Sequence, residues 1–192
     1  MSTKRSSTAR PAGPKPPVNF SSTLCISEKA VLQGTHSIAI QSESVVHPGA
    51  KFESAVGSIF IGRRCIINER AHIGAYPEDL DTAKPGGVIL GDYVIIEADV
   101  VIESGNTEIG DGSVVQAGSR IGTGAKIGKN CTLTPRSIIK PGEDLPDDTV
   151  VYANGLRRTD RRGLHDLRKK GLTKQISMLH KMIPSNPVKF QS

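Results

Sequence analysis

Aromatic residues are scarce in this chain: four Phe and three Tyr in 192 residues, with no Trp. Globular α/β cores draw much of their volume from rings, so this core must be built from aliphatics stacked in regular layers; Ile, Val and Leu number 19, 14 and 11. Long apolar runs are missing too. None approaches the ~18 to 20 residues of a membrane helix, and the N-terminus lacks the apolar segment of a secretion signal. A soluble cytoplasmic protein without membrane insertion is expected. Three cysteines, Cys25, Cys65 and Cys131, form an odd set with no paired local spacing, which predicts reduced thiols rather than a disulfide framework.

Acid is absent from one end and nearly so from the other. Residues 1–18 carry Lys4, Arg5, Arg10 and Lys15 and no carboxylate, while residues 157–192 carry ten basic residues against Asp160 and Asp166. The formal charge of +6 therefore divides into an acidic body and two basic extensions. A nucleic-acid domain concentrates Lys and Arg on its folded surface, so this distribution argues against a nucleic-acid partner. Electrostatic partners are to be sought at the ends.

What the body does contain is a repeat. From Ile109 every sixth residue is aliphatic: Ile109, Val115, Ile121, Ile127, Leu133, Ile139, Leu145 and Val151. The phase recurs upstream in Ile26, Leu32 and Ile38, in Ile61, Ile67 and Ile73, and in Leu90, Ile96 and Ile102. Four residues after each aliphatic stands a mostly small one, such as Ser113, Ser119, Ala125, Cys131 and Ser137. A strand alternates faces, so both kinds of residue point inward, and the Gly, Asn and Asp between them make a corner that needs unusual backbone angles. Three hexads close one triangular coil, and only a stack of coils buries the ladder.

The organisation that follows is a basic Pro/Ser-rich disordered arm over 1–23, a solenoid over 24–156, a basic connector over 157–171, a helix over 172–184 and a tail over 185–192. Breaks in the hexads are expected at 42–60, at 103–108 and, as an excursion loop, at 74–88. The helix shows an apolar stripe, Leu172, Ile176, Leu179 and Ile183, whose simplest use is packing on the solenoid flank and whose other use is docking a partner. Tyr76 and Pro77 in the excursion and Arg157 and Arg158 in the connector are further candidate partner contacts.

Catalytic chemistry finds little support. The excursion has no His; His36, His47 and His72 have no acid at motif spacing, so none is expected to be a general base. The Gly-rich stretch from Gly122 to Gly128 places Ile127 where a dinucleotide loop needs its third glycine.

The hexapeptide pattern resembles that of left-handed parallel β-helix proteins, which implies an all-β solenoid of about seven coils with a C-terminal α-helix; the handedness comes from the resemblance alone. Ile59-Phe60-Ile61-Gly62-Arg63-Arg64 and Asn130-Cys131-Thr132-Leu133-Thr134-Pro135-Arg136-Ser137 are similar to segments of γ-class carbonic anhydrases, which hold zinc with three histidines. In register, those ligand positions fall on Gly74, Ala98 and Glu103, a set that lacks the donors for a tetrahedral site, so no metal or other cofactor is expected. Ala75-Tyr76-Pro77, Asp147-Asp148-Thr149-Val150-Val151-Tyr152, Leu156-Arg157-Arg158 and Met178-Leu179-His180-Lys181-Met182-Ile183-Pro184 resemble the dynactin subunit 6 family, the smaller pointed-end β-helix subunits. The resemblance implies a non-catalytic scaffold in the cytoplasm and cytoskeleton, supporting dynein-dynactin cargo and adaptor attachment in microtubule-based transport. Its implied partners are the paralogous β-helix dynactin subunit 5, the pointed-end actin-related protein and the zinc-containing dynactin subunit 4. The basic arm and the Arg-rich connector depart from the family pattern. A γ-carbonic-anhydrase-like or acyltransferase hexapeptide enzyme is the alternative.

Overall fold

A computed structural model of the chain describes residues 13–77 and 85–191. They wind into a parallel β-solenoid of six complete coils and two strands of a seventh, followed by a helix. Three sheets form the walls of a prism. The first wall has seven strands, from Val18–Phe20 to Asp144–Leu145; the second has eight, from Cys25–Ile26 to Thr149–Val151 plus a final antiparallel strand; the third has six, from Val31–Gly34 to Ile138–Ile139. Each strand pairs in register with the strand three further along the chain, which is the hexad repeat read in space.

The ladder fills the prism as the periodicity requires. Ile109, Val115, Ile121, Ile127, Leu133, Ile139, Leu145 and Val151 are all buried, as are the small residues Ser113, Ser119, Ala125, Cys131 and Ser137 four positions on. The buried serines are satisfied by the neighbouring coil: Ser113 Oγ donates to the Gly128 carbonyl at 2.9 Å and accepts from the Cys131 N–H at 3.0 Å. A hydroxyl thus sits in an apolar core without the penalty of a lost hydrogen bond. One ladder assignment changes. Ile38 is inward and buried, but the register places Ile40 opposite Phe20 and Ile61, so Ile40 holds the ladder position.

The irregular spacings all fall at one edge of the prism, where the third wall hands the chain to the first. Successive ladder residues are six apart except from Leu32 to Ile40, Phe52 to Ile61, Ile73 to Leu90 and Ile102 to Ile109. The break expected over 42–60 is therefore mostly regular coil, since Val46 and Phe52 keep the six-residue step after Ile40 and pair with Ile67 and Ile73. Phe52 concealed the phase because it is an aromatic in an aliphatic series. Insertions at a single corner point away from the core and cost little beyond loop closure. Polar side chains tie the edge down: Ser54 Oγ donates to the His36 carbonyl at 2.7 Å, and Thr107 Oγ1 to the Glu103 carbonyl at 2.7 Å.

The corner glycines have two roles: Gly112 (φ 70°) and Gly124 (φ 67°) take the backbone angle that the sequence suggested, whereas others are required by the neighbouring coil. A Cβ at Gly62 would lie 2.4 Å from the Gly91 carbonyl oxygen, and one at Gly128 would lie 2.6 Å from the Asp147 amide nitrogen. These glycines permit coil-to-coil approach. The left-handed position is two residues further on, and it is often not glycine: Arg64 (φ 55°), Tyr93 (φ 60°) and Asn130 (φ 56°) stack at one corner. Such residues carry a conformational cost; Arg64 recovers part of it through Glu43, with Nε 2.6 Å from Oε2.

The ends correct the expected boundaries. Val18–Phe20, assigned to the arm, is a strand paired with Ile38–Ile40; Phe20 supplies the ladder contact, and Pro16-Pro17 before it favour extended chain. Residues 1–12 of the arm lie outside the described residues, as does 78–84 of the excursion. Within the expected connector, the chain reverses around Gly155 and Arg157–Thr159 pairs antiparallel with Thr149–Val151. This covers the last edge of the second wall, and its exposed arginines make the new edge unattractive for further pairing.

Helix α1 spans His165–Met182, beginning seven residues before the stripe predicts, because Arg, Lys and Leu in 165–171 are good helix formers that carry no core-facing apolar residue. Its 18 residues extend ~27 Å. The six strand spacings of the second wall cover about 29 Å, so α1 runs the length of the wall, back toward the first coil. There Ile26 N–H donates to Ser185 Oγ at 3.0 Å and Asn186 N–H to the Ile26 carbonyl at 3.0 Å, covering the opposite edge. The expected tail also holds a 3₁₀ turn, Pro187–Phe190, with Phe190 edge-on to Phe20 at 6.4 Å between centroids.

Candidate functional site

Two regions could carry function: the positions that the resemblance to γ-class carbonic anhydrases singles out, and the surfaces open to a partner.

Gly74 lies in the strand His72–Ala75 and Glu103 in Val101–Glu103, adjacent strands of the third wall, whereas Ala98 stands at the corner before the second of them. Gly74 has φ +80°, and a Cβ there would meet the Glu53 carbonyl oxygen at 2.3 Å. The backbone of the preceding coil occupies the space that a ligand side chain would need. Glu103 is also committed, because its Oε2 accepts the Thr123 N–H at 3.0 Å. Among the described residues no cluster of three or more His, Cys, Asp or Glu could hold a metal. Substituting Gly74→His is therefore expected not to recreate a zinc site: the variant binds no zinc above parent level by metal analysis and melts several degrees lower, the cost of strained φ and a displaced coil.

The histidines are engaged in structure. His36 Nδ1 lies 2.9 Å from the Ser54 carbonyl, and His72 Nε2 lies 2.9 Å from Glu53 Oε2, which also takes Lys51 at 2.7 Å. Burial pulls the His72 pKa down, and Lys51 adds to this. His47 is likewise lowered by burial, and its Nε2 has no partner among the described residues. The three cysteines are free and buried; burial pushes the Cys65 thiol up to about 12.

The partner candidates separate once placed. Leu172 and Ile176 are buried against the second wall, packed with Cys25, Val45 and Ile66, and Leu179 and Ile183 pack partly on the same cluster. This stripe is used by the chain itself. The signal for its receptor was present in the sequence, since the outward residues Cys25, Val45, Ile66 and Ile95 of the second wall are all apolar. Pro77 is buried and Tyr76 is 53% exposed. Arg157 is paired with Glu143, Arg162 and Arg168 both hold Asp160 well below the usual carboxylate range, and Arg158 is exposed.

Two surfaces were missed. On the first wall, Phe60 (41% exposed) and Ile89 (49%) are neighbours in register, and among the described residues no other element covers them. On α1, Leu167, Met178 and Met182 are exposed, a second apolar stripe at helical spacing. The charged residues between them hid it from a search for one apolar face.

A family profile described as "Bacterial transferase hexapeptide (six repeats)" matches residues 106–141. Among solved structures, a hexapeptide transferase family protein from Anaplasma phagocytophilum superposes with a TM-score of 0.73 at 16% identity, covering 88% of this chain and 96% of that one. A putative acetyltransferase from Bacillus cereus superposes at 0.70 with 18% identity, covering 88% and 95%. These likenesses show the fold. By sequence, dynactin subunit 6 of Danio rerio is 29% identical over 154 residues, covering 77% of this chain and 75% of that one. Dynactin subunit 6 of Nematostella vectensis is 27% identical over 154 residues, covering 78% and 80%. The resemblance read from the sequence is met by comparison: this chain, a hexapeptide-repeat solenoid, is similar to dynactin subunit 6 over three quarters of its length.

Proposed function

We propose that the chain is a non-catalytic structural subunit of a dynactin pointed-end complex, supporting cargo and adaptor attachment to dynein in microtubule-based transport in the cytoplasm. The observation that carries this reading is the similarity to dynactin subunit 6 across most of both chains. The backbone seated where a Gly74 side chain would project supports it, because it removes the ligand chemistry of the enzymes with this repeat. The uncovered first wall supports it as well. A flat, preformed sheet with Phe60 and Ile89 outward loses little entropy on docking another rigid face, which suits side-by-side assembly with a second β-helix subunit, dynactin subunit 5. The pointed-end actin-related protein and the zinc-containing subunit 4 complete the proposed neighbourhood.

Co-expression with the paralogous β-helix subunit tests the assembly. A stable heteromeric complex is expected, and Phe60→Glu with Ile89→Glu should abolish it while leaving the melting temperature of the isolated chain within a few degrees, since both side chains face outward. Isolation instead as a homotrimer with stoichiometric zinc and CO₂ hydration activity would sink the scaffold reading.

A further inference from the structure

A cleft of about 720 Å³ runs between α1 and the corner of the second wall, and the scaffold reading leaves it without a role. Its wall side is Arg64 and Tyr93; its helix side is Leu167, Lys169, Lys170 and Lys174. Four cations therefore border one opening on a body that is otherwise acidic. Glu43, beside it, is already held by Arg64 through both oxygens, at 2.6 and 3.3 Å. Lys170 and Lys174 are exposed, and neither has an ion-pair partner among the described residues. Between them Gly171 leaves open space, with nothing within 4 Å of where a Cβ would stand, and Leu167 is 67% exposed.

Chemistry and spacing select the occupant. Lys170 and Lys174 are one turn apart along α1, ~6 Å. Alternate side chains on one side of an extended chain repeat at about 6.6 Å, so two carboxylates two residues apart can face both ammonium groups. The residue between them then points away from the helix. A nucleic acid fits less well. The Tyr93 ring already has the Arg64 guanidinium at 5.6 Å and the Lys169 ammonium at 5.5 Å from its centroid, and its hydroxyl takes Arg64 at 2.6 Å. No free aromatic platform remains in the cleft for a base to stack on.

We propose that this cleft binds an extended acidic segment of a partner protein in which two carboxylates stand two residues apart. The carboxylates sit on Lys170 and Lys174. This goes beyond the scaffold reading and stands without it, because it needs only the isolated chain.

Fluorescence anisotropy with a fluorescein-labelled Ser-Gly-Asp-Leu-Asp-Gly-Ser peptide tests it. Saturable binding is expected, weakening as salt is raised because the contacts are exposed ion pairs. Lys170→Glu with Lys174→Glu should weaken it about tenfold or more, whereas Lys140→Glu, half that charge change at a distant corner, should leave it unaltered. Absence of binding, or equal loss in the Lys140→Glu chain, overturns the proposal. Tighter binding of a single-stranded oligonucleotide of equal charge overturns it in favour of a general polyanion site. The chain's own Asp79-Leu80-Asp81 has the same pattern, so sedimentation velocity is run in parallel. Self-association lost in the Lys170→Glu, Lys174→Glu chain would make a second copy the occupant and overturn the partner assignment.

Discussion

Phe52→Ala is expected to destabilise the solenoid by about 3 to 5 kcal/mol. Phe52 is the largest fully buried side chain and pairs with Leu32 on one side and Ile73 on the other, so truncation leaves a void between successive coils of the third wall. For a chain of this size each kcal/mol shifts the melting temperature by about 2 to 4 °C, which puts the expected fall at roughly 6 to 20 °C. Because each coil touches only its neighbours, the damage is local first. Hydrogen exchange should quicken in Val31–Gly34, Lys51–Ser54 and His72–Ala75 before it does in Lys126–Ile127 or Thr132–Leu133, strands three coils or more away. Phe52→Leu keeps most of the volume and should recover most of the loss. A melting temperature within about 2 °C of the parent for Phe52→Ala would show that the ring is not packed in the ladder at all.

Leu172→Asp combined with Ile176→Asp is expected to release α1 from the second wall while the coils stay wound. The two are the helix residues buried in that contact, and burying an aliphatic side chain is worth about 1.5 to 3 kcal/mol. Removing both, with a carboxylate left in each place, exceeds what Leu179 and Ile183 alone can hold. Release uncovers Val45 and Ile66, an apolar stripe along a flat sheet, so the variant should self-associate. It also frees Cys25, which packs in the same cluster with its thiol 3.7 Å from the Ile183 carbonyl. Cys65 and Cys131 lie within the coils and should stay protected. A thiol reagent should therefore titrate one of the three cysteines in the variant and none quickly in the parent. Reaction of all three would mean that the coils had unwound, and reaction of none would mean that the helix had stayed docked.

The sequence could be read for the solenoid because a hexad is a local code. Its aliphatic, its small residue and its corner are set within six positions, and parallel stacking needs nothing beyond repetition. Where the code was interrupted, the reading slipped for identifiable reasons. Phe20 and Phe52 stood in aliphatic positions, so the first coils were started late and a break was expected where Val46 and Phe52 continue the ladder. The insertions looked scattered along the chain, yet they share one edge, a fact that exists only once coils are stacked. All corner glycines were credited to backbone angle, which holds at Gly112 and Gly124 but not at Gly62, where the clash comes from a carbonyl 29 residues away.

The candidate surfaces divide in the same way. The apolar stripe of α1 and the apolar outer face of the second wall were both legible as patterns, but each is compatible with a partner or with the other. Only the tertiary structure joins Leu172 and Ile176 to Cys25, Val45 and Ile66, because the match depends on the helix length equalling the height of the stack. The sequence alone determined a β-solenoid with an acidic body and basic extensions, since each of these is a property of composition or short spacing. The tertiary structure decided which basic residues are spent internally, on Glu143 and Asp160, and which remain to form the cleft at Lys170 and Lys174. That difference rests on distances between residues far apart in the chain, and these are fixed only by how the helix lies on the wall.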